Sequence, residues 1–134
     1  MDRFKFRVWN NRDWDNDFGK VYYDAEKTYD YLGGNQNIPA SSFGDLVESD
    51  EWIVEQCTGL KDKNGKLIYE GDILRFINDW EEEIKPVTFD IESAWYGVEI
   101  CKDFILPLTG SGLSNIEVIG NIHENKDLLE AIND

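Results

Sequence analysis

The fold follows from the stretch Cys57-Thr-Gly-Leu-Lys-Asp-Lys-Asn-Gly-Lys-Leu-Ile-Tyr-Glu-Gly-Asp-Ile-Leu74. Within it, Asn64-Gly65 lies between apolar segments and predicts a tight β-hairpin with a type I′ turn, because both residues tolerate positive φ. Gly71-Asp72 predicts a sharp change of direction into the next strand, with the Asp72 carboxylate accepting backbone N–H bonds. These four residues have structural roles, and the stretch holds no obvious catalyst.

Working outward, apolar residues alternate with polar ones along several further segments, as in half-buried β-strands. In residues 3–9, Phe4, Phe6 and Val8 fall on one face, and Arg3, Lys5, Arg7 and Trp9 fall on the other, so this strand is predicted to be half exposed. The other predicted strands are residues 20–23, 51–57, 67–69, 73–77, 86–91, 96–101 and 115–122. Short strands at this spacing predict a mainly β protein built around a small barrel.

Turn-forming residues and caps separate these strands. Residues 10–19 predict a long hairpin loop, Gly33 to Asn37 with Pro39 predicts another loop, and Gly110 to Gly112 with Pro107 interrupts the β pattern. Ser42 is placed to cap a short helical turn within 41–49, with Asp45 as its capping partner. Asn125 is placed to cap a short terminal helix over 125–132.

The charge of the chain is strongly acidic, with a formal net charge of −15. Residues 1–50 carry 10 acids and 6 bases (net −4), and residues 51–134 carry 18 and 7 (net −11). The acidity therefore lies mainly in the C-terminal part. We divide the chain at the same point into an N-terminal β-hairpin lobe, 1–50, and a barrel domain, 51–134. A strongly acidic surface repels nucleic acid and anionic lipid. It serves solubility, or else it presents a DNA-mimicking or basic-protein-binding face.

The residues after Met1 form no apolar segment of a signal peptide, and no run approaches the length of a membrane span. We therefore expect a cytoplasmic protein that does not enter the membrane. In that compartment Cys57 and Cys101 are expected to be two buried free thiols rather than a disulfide.

Three segments in order along the chain resemble the YopX family of phage and prophage proteins. They are Lys5 to Trp9, Cys57 to Ile73 and Glu117 to Leu129. The resemblance implies an SH3-type barrel in the C-terminal part, a smaller β-containing N-terminal lobe, a phage or prophage origin and no established activity. The chain departs from the family pattern at Cys57, where Tyr is common, and has its own insert at 32–50.

No combination of residues predicts catalysis, a cofactor or a metal site. Asp13, Asp15 and Asp17 have the spacing of calcium ligands, but Phe18 and Asp24 occupy the Gly and Glu positions of an EF-hand loop. His123 is the only histidine, so it cannot belong to a histidine cluster. Paired carboxylates could come from Glu81–Glu83 and Glu92, but an acidic run in a loop between strands is typical of a solvated surface.

Trp80, Trp95 and Tyr96, with Glu81, Glu82 and Glu83, are the candidate interaction residues. Aromatic residues beside acids are typical of a protein-binding patch, and core packing explains these aromatics equally well. The leading hypothesis is a non-enzymatic module that binds a protein, such as a basic host factor, or its own copies.

Two alternatives remain open. Nucleic-acid binding would need a local basic patch, for which the candidates are Arg3, Lys5, Arg7 and Arg12, or Lys61, Lys63 and Lys66 in the hairpin. An enzyme would need an unrecognised carboxylate or metal site.

Overall fold

A computed structural model describes residues 4–28, 38, 42–102, 104–109 and 112–130. The mainly β prediction is confirmed. The predicted loop at 33–37 with Pro39, the residues Arg3, Gly110 and Ser111, and the end of the predicted terminal helix at Ile132 lie outside the described residues.

The described elements are ten strands, two short α-helices and one 3-10 turn at Ala25–Lys27. The strands are β1 (Phe6–Asn10), β2 (Val21–Tyr22), β3 (Trp52–Lys61), β4 (Leu67–Tyr69), β5 (Asp72–Asn78), β6 (Glu81–Pro86), β7 (Thr88–Asp90), β8 (Trp95–Cys101), β9 (Phe104–Pro107) and β10 (Ser114–Asn121). The helices are α1 (Phe43–Glu48) and α2 (Lys126–Glu130).

The strands form three antiparallel sheets, with the orders β2-β1-β3-β4, β10-β5-β6 and β7-β8-β9. Strand β3 is long enough to pair with two other strands, one along each half of its length. Its first half pairs with β1, from Trp52 opposite Asn10 to Gln56 opposite Phe6. Its second half pairs with β4, where Cys57 lies opposite Tyr69. Strand β3 therefore joins the N-terminal strands β1 and β2 to β4 within one sheet.

Two clusters of buried apolar side chains form the core. One is built from β1, β3, α1 and the 3-10 turn, and the other from β4, β5, β8 and the segments that follow β6 and β9. Their members are Val8, Ala25, Ile38, Leu46 and Trp52 in the first, and Ile68, Leu74, Phe76, Val87, Val98 and Leu108 in the second. Burial of these side chains is the main favourable contribution to folding.

The predicted helical turn at 41–49 is confirmed as α1. The Ser42 hydroxyl accepts a hydrogen bond from the Asp45 N–H at 3.2 Å, as an N-cap residue does. At the other end of the chain, the Asn125 side chain accepts from the Asn121 N–H at 3.1 Å and so ties α2 to the end of β10.

The two cysteines differ in environment. Cys57 is buried and forms no disulfide, as predicted, whereas Cys101 is exposed, so its predicted burial is wrong. Cys101 is the last residue of β8 and lies opposite Phe104 across a short turn to β9, where neither core cluster covers it.

The prediction of a type I′ turn at Asn64-Gly65 is wrong. Gly65 has a φ of 82°, but Asn64 is not among the residues with positive φ. The Gly65 N–H donates to the Asp62 carbonyl at 3.0 Å, and the Asp62 N–H donates to the Lys66 carbonyl at 2.8 Å. These bonds define a three-residue loop with one left-handed glycine, which differs from the two-residue turn that Asn-Gly favours.

Asp62 explains why this longer loop is preferred. Its Oδ1 accepts from the Asn64 and Lys66 N–H groups, and its Oδ2 accepts from the Val118 N–H, all at 2.9 Å. One nearly buried carboxylate therefore closes the turn and joins it to β10. Burial acts to raise the pKa of Asp62, but the three N–H donors outweigh it and hold the pKa below its ordinary value.

An Asp62→Asn variant should lose about 1–3 kcal/mol of unfolding free energy at neutral pH, because an amide cannot accept all three bonds. A carboxyl with a lowered folded pKa stabilises the fold above its unfolded pKa, about 3.9, and loses this effect as the pH falls through the folded value. The difference between wild type and variant, measured by urea denaturation, should therefore shrink below about pH 4. A difference that stayed constant down to pH 2 would contradict this role.

The two-residue type I′ turn occurs instead at Asp79-Trp80, between β5 and β6. Both residues have positive φ, 52° and 72°, and Asn78 lies opposite Glu81. The placement of Glu81–Glu83 in a loop is therefore wrong, because these residues form the first half of β6. Pairing with the well-packed strand β5 extends the hairpin through the acidic run to the turn itself.

Candidate functional site

The tip of the β5–β6 hairpin is the most exposed aromatic feature of the described chain. Trp80 is 97% exposed, so its indole packs against neither of the other two predicted interaction aromatics. The side chains of Glu81 and Glu82 are also exposed, and Glu83 accepts a hydrogen bond from the Asn78 amide at 3.0 Å. Trp80 and the three glutamates therefore form one continuous surface element.

Trp95 and Tyr96 lie elsewhere, at the start of β8. The Trp95 indole N–H donates to the Ile105 carbonyl at 3.2 Å, which holds its ring against β9. Tyr96 packs edge-on against Phe89 with ring centroids 4.9 Å apart, and its hydroxyl donates to Gln56 at 3.0 Å. Tyr96 also packs against the second core cluster, which contains Phe76 and Val98, so the structure gives it a clear packing role.

The Gly71-Asp72 step brings the chain into β5. Gly71 has a φ of 87°, which glycine adopts far more easily than other residues. The Asp72 carboxylate accepts from the Tyr69 N–H at 2.7 Å through Oδ2, and its Oδ1 accepts from the Arg7 guanidinium at 2.5 Å. Asp72 thus holds the turn that precedes it and also binds a cation on β1.

Arg7 is the centre of a buried ion-pair network that sequence reasoning missed. It was predicted to lie on the exposed side of its strand, but its exposure is 0%. Its Nε donates to Glu55 at 2.8 Å, its Nη1 to Asp72, and its Nη2 to the Glu70 carbonyl at 3.0 Å. The ring of Tyr69 lies 5.1 Å below the guanidinium carbon. The prediction failed because β1 is covered on both faces.

The network continues to the C-terminal segment through Glu55. The second carboxylate oxygen of Glu55 lies 2.8 Å from His123 Nε2, and the His123 ring stacks on Trp9 with centroids 4.3 Å apart. Four segments that are distant in sequence therefore meet around one cation. The sequence held a weak signal for this network. Arg7 and Glu55 have opposite charges and lie within predicted strands, and the acidic Asp72 lies directly before another.

Burial acts against the charge of Arg7, but Asp72 and Glu55 outweigh it and raise the pKa of Arg7 above its usual value. With donors on all three nitrogens already bonded, Arg7 has no free edge for a phosphate. Arg12 is engaged as well, since it pairs with Asp15 and its guanidinium contacts the rings of Trp14 and Trp52. Two members of the predicted basic patch are therefore committed to internal contacts.

An open cleft of about 370 Å³ adjoins His123. It is lined by Asn16, Asp17, Phe18, Gly19, Lys20, His123 and Glu124. One lysine faces two acids, so the charges favour neither a strong anion site nor a cation site. Among the described residues, no group of three or more His, Cys, Asp or Glu side chains is placed to hold a metal ion.

These observations define a class: a small, mainly β protein with two joined cores, a buried ion-pair network and an acidic hairpin with an aromatic tip. A model of the YopX protein family matches residues 5–130, and the chain therefore belongs to the YopX family. The search of the curated proteins gave no match. The resemblance in the three sequence segments is thus confirmed over nearly the whole chain.

Two solved structures share the fold. Protein EF1440 from Enterococcus faecalis is 23% identical, with a TM-score of 0.56 and coverage of 93% of this chain and 96% of its own. Protein yopX from Bacillus subtilis is 17% identical, with a TM-score of 0.59 and coverage of 95% and 96%. In the described part of this chain, no helix has the length and apolar character that crossing a bilayer requires.

Proposed function

We propose that this protein is a non-enzymatic protein-binding module and that the β5–β6 hairpin is its recognition element. The observation that supports this most directly is Trp80, which is 97% exposed and held at a φ of 72°. A bulky residue is rarely found in this conformation. Neither the exposure nor the backbone conformation of Trp80 benefits the isolated fold, whereas tryptophan is enriched among the residues that dominate binding energy at interfaces.

The charge of the hairpin points to the chemistry of the partner. Asp79, Glu81, Glu82 and Glu83 surround Trp80, and the whole chain carries a net charge of −15. Complementary charge speeds encounter and suppresses wrong partners. A basic surface on a host protein fits this element better than nucleic acid does. Arg7 and the paired Arg12 are committed to contacts within the protein. The hairpin lysines Lys61, Lys63 and Lys66 are exposed, but the net charge of −15 opposes binding of a phosphate backbone there.

We further propose that residues 51–134 form an SH3-type barrel behind an N-terminal lobe, residues 1–50, and that the protein has a phage or prophage origin. The two core clusters support a division into two lobes, with Trp52 at the start of β3 packed in the first cluster. The resemblance to phage and prophage proteins supports the origin. In this arrangement the acidic hairpin belongs to the barrel and not to the lobe.

A Trp80→Gly variant should lose partner binding without losing stability. Glycine accepts the positive φ at little cost, so the unfolding free energy should stay the same or rise by about 0.5–1 kcal/mol. Binding would be measured by quantitative pull-down from lysogenic host cells, and stability by urea denaturation. Ile91→Ala is the matched control, because Ile91 is 85% exposed and lies in a different turn.

The proposal predicts that the control captures the same partner as the wild type and that Trp80→Gly does not. Equal capture by all three proteins would show that the hairpin tip is not the recognition element. Loss of capture by Ile91→Ala alone would place the binding surface at the β7–β8 turn instead.

A further inference from the structure

Strand β6 is an edge strand in the described part of the chain. Its sheet has the order β10-β5-β6, so β6 has a hydrogen-bonded partner on one side only, and β8 lies near β6 without pairing with it. The register with β5 follows from the two-residue turn, which makes Asn78 and Glu81 the first hydrogen-bonded pair. The bond from the Val87 N–H to the Asp72 carbonyl at 2.8 Å continues the same register at the far end.

This register decides which backbone groups of β6 are free. Hydrogen bonding alternates along an antiparallel strand, so Glu81, Glu83 and Lys85 direct their backbone groups toward β5. Glu82, Ile84 and Pro86 direct theirs away from it. No backbone hydrogen bond from elsewhere in the described residues reaches these three positions. The edge therefore offers the N–H groups of Glu82 and Ile84 and three carbonyls, which is a template for an added strand.

The side chains along this edge decide which strand can be added. Glu82 and Ile84 lie on one face of β6, and Glu81 and Glu83 on the other, so an incoming strand meets carboxylates on both faces. Like charges placed opposite each other are destabilising. An acidic strand is therefore rejected, and a second copy of this chain with its net charge of −15 is disfavoured in the same way. Proline at Pro86 ends the run of N–H donors.

We propose that the free edge of β6 binds a basic extended segment of the partner protein, which joins the β10-β5-β6 sheet as a fourth strand. The segment carries lysine or arginine opposite Glu81, Glu82 and Glu83 and an apolar residue opposite Ile84. Its end lies beside Trp80, whose ring can accept a further cationic side chain. This inference rests on the proposed function and names the chemistry of the partner and its mode of binding.

The test uses a short synthetic peptide with a Val-Lys-Lys-Lys core flanked by threonines, titrated calorimetrically into the whole protein. A second peptide has the same sequence with N-methyl groups at alternate amides, so its charge is unchanged but it cannot pair as a strand. The first peptide should bind and slow hydrogen exchange at the Glu82 and Ile84 amides. The second should bind at least about tenfold more weakly.

Substitutions in β6 test the same edge by changing the protein instead of the peptide. Ile84→Pro removes an outward N–H without removing a bond to β5, and should weaken binding of the first peptide at least about tenfold. Ile84→Val keeps the N–H and should bind as the wild type does. Glu82→Lys leaves the backbone intact and should also weaken binding, which keeps the test valid if the proline variant fails to fold.

Equal binding of both peptides would show diffuse charge attraction and overturn the inference. Wild-type affinity in Ile84→Pro or in Glu82→Lys would show that the peptide binds elsewhere and would overturn it as well. Dimerisation in solution that Ile84→Pro abolishes would make a second copy the occupant and overturn it as well. None of these results contradicts the proposed function, which fails only if Trp80→Gly still captures the host partner.

Discussion

An Arg7→Leu variant is expected to lose about 3–5 kcal/mol of unfolding free energy. Leucine fills much of the space, but it leaves the carboxyl groups of Glu55 and Asp72 only 4% and 2% exposed, with no guanidinium between them. Removing one partner of a buried ion pair lowers the unfolding free energy by more than the intact pair contributes to it, because the remaining charge is desolvated and unpaired. Urea denaturation at neutral pH, followed by tryptophan fluorescence, measures the loss.

Two comparisons identify the cause of that loss. Arg75→Leu is the matched control, because Arg75 pairs with Glu117 at an exposed position, and should leave the unfolding free energy nearly unchanged. Adding Glu55→Gln and Asp72→Asn to Arg7→Leu should recover part of the loss, since the uncompensated charges are then gone. If the triple variant is no more stable than Arg7→Leu alone, lost packing and not unpaired charge is responsible.

A Gly71→Ala variant is expected to be destabilised by a similar amount, about 3–5 kcal/mol. A Cβ atom at this position would lie 2.2 Å from one carboxylate oxygen of Glu55 and 2.9 Å from its carboxyl carbon. Glu55 would have to move away from Arg7 and His123, which separates the charges of the network. The positive φ of 87° adds a backbone cost of about 1–2 kcal/mol.

Gly65→Ala separates the two contributions. Gly65 has nearly the same φ, 82°, but a Cβ there meets nothing within 4 Å. It should therefore show the backbone cost alone, about 1–2 kcal/mol. Equal losses in the two variants would mean that Glu55 yields without cost, and that the network is less tightly packed around Gly71 than its contacts indicate.

Much of the fold could be predicted from local patterns. Alternation located β5, β8 and β10 to within a residue or two, and Ser42 marked the start of α1 correctly. Both signals depend on neighbours within a few residues, where the chemistry of the side chains acts directly on the backbone. The family resemblance depended on the same local segments.

The turns show where local patterns fail. Asn64-Gly65 has the residues of a type I′ turn, yet Asp62 overrides that preference because its carboxylate bonds to the loop and, 56 residues away, to Val118. Asp79-Trp80 lacks the glycine of such a turn and adopts it nonetheless. There the pairing of β5 with β6 determines the loop length, and the residues accept the conformation it demands.

The candidate interaction site was predicted in part. Trp80 and the three glutamates were named from their composition, but their shared hairpin and the free edge of β6 required the register of the sheet. Arg7 could not be predicted to be buried, since a basic residue in an alternating strand is normally solvated. Its burial depends on Glu55, Asp72 and Tyr69, which come together only when β1, β3 and β5 have assembled.

By itself, the sequence determined the class of fold, the approximate strands, the family and the acidic character, because these depend on periodicity, local caps and composition. The tertiary structure alone decided that Arg7 is buried among carboxylates, that Gly71 must stay a glycine beside Glu55, and that β6 keeps one edge free. The physical reason is that ion-pair burial, close approach and strand pairing depend on distances between segments far apart in the chain. No local pattern encodes such distances.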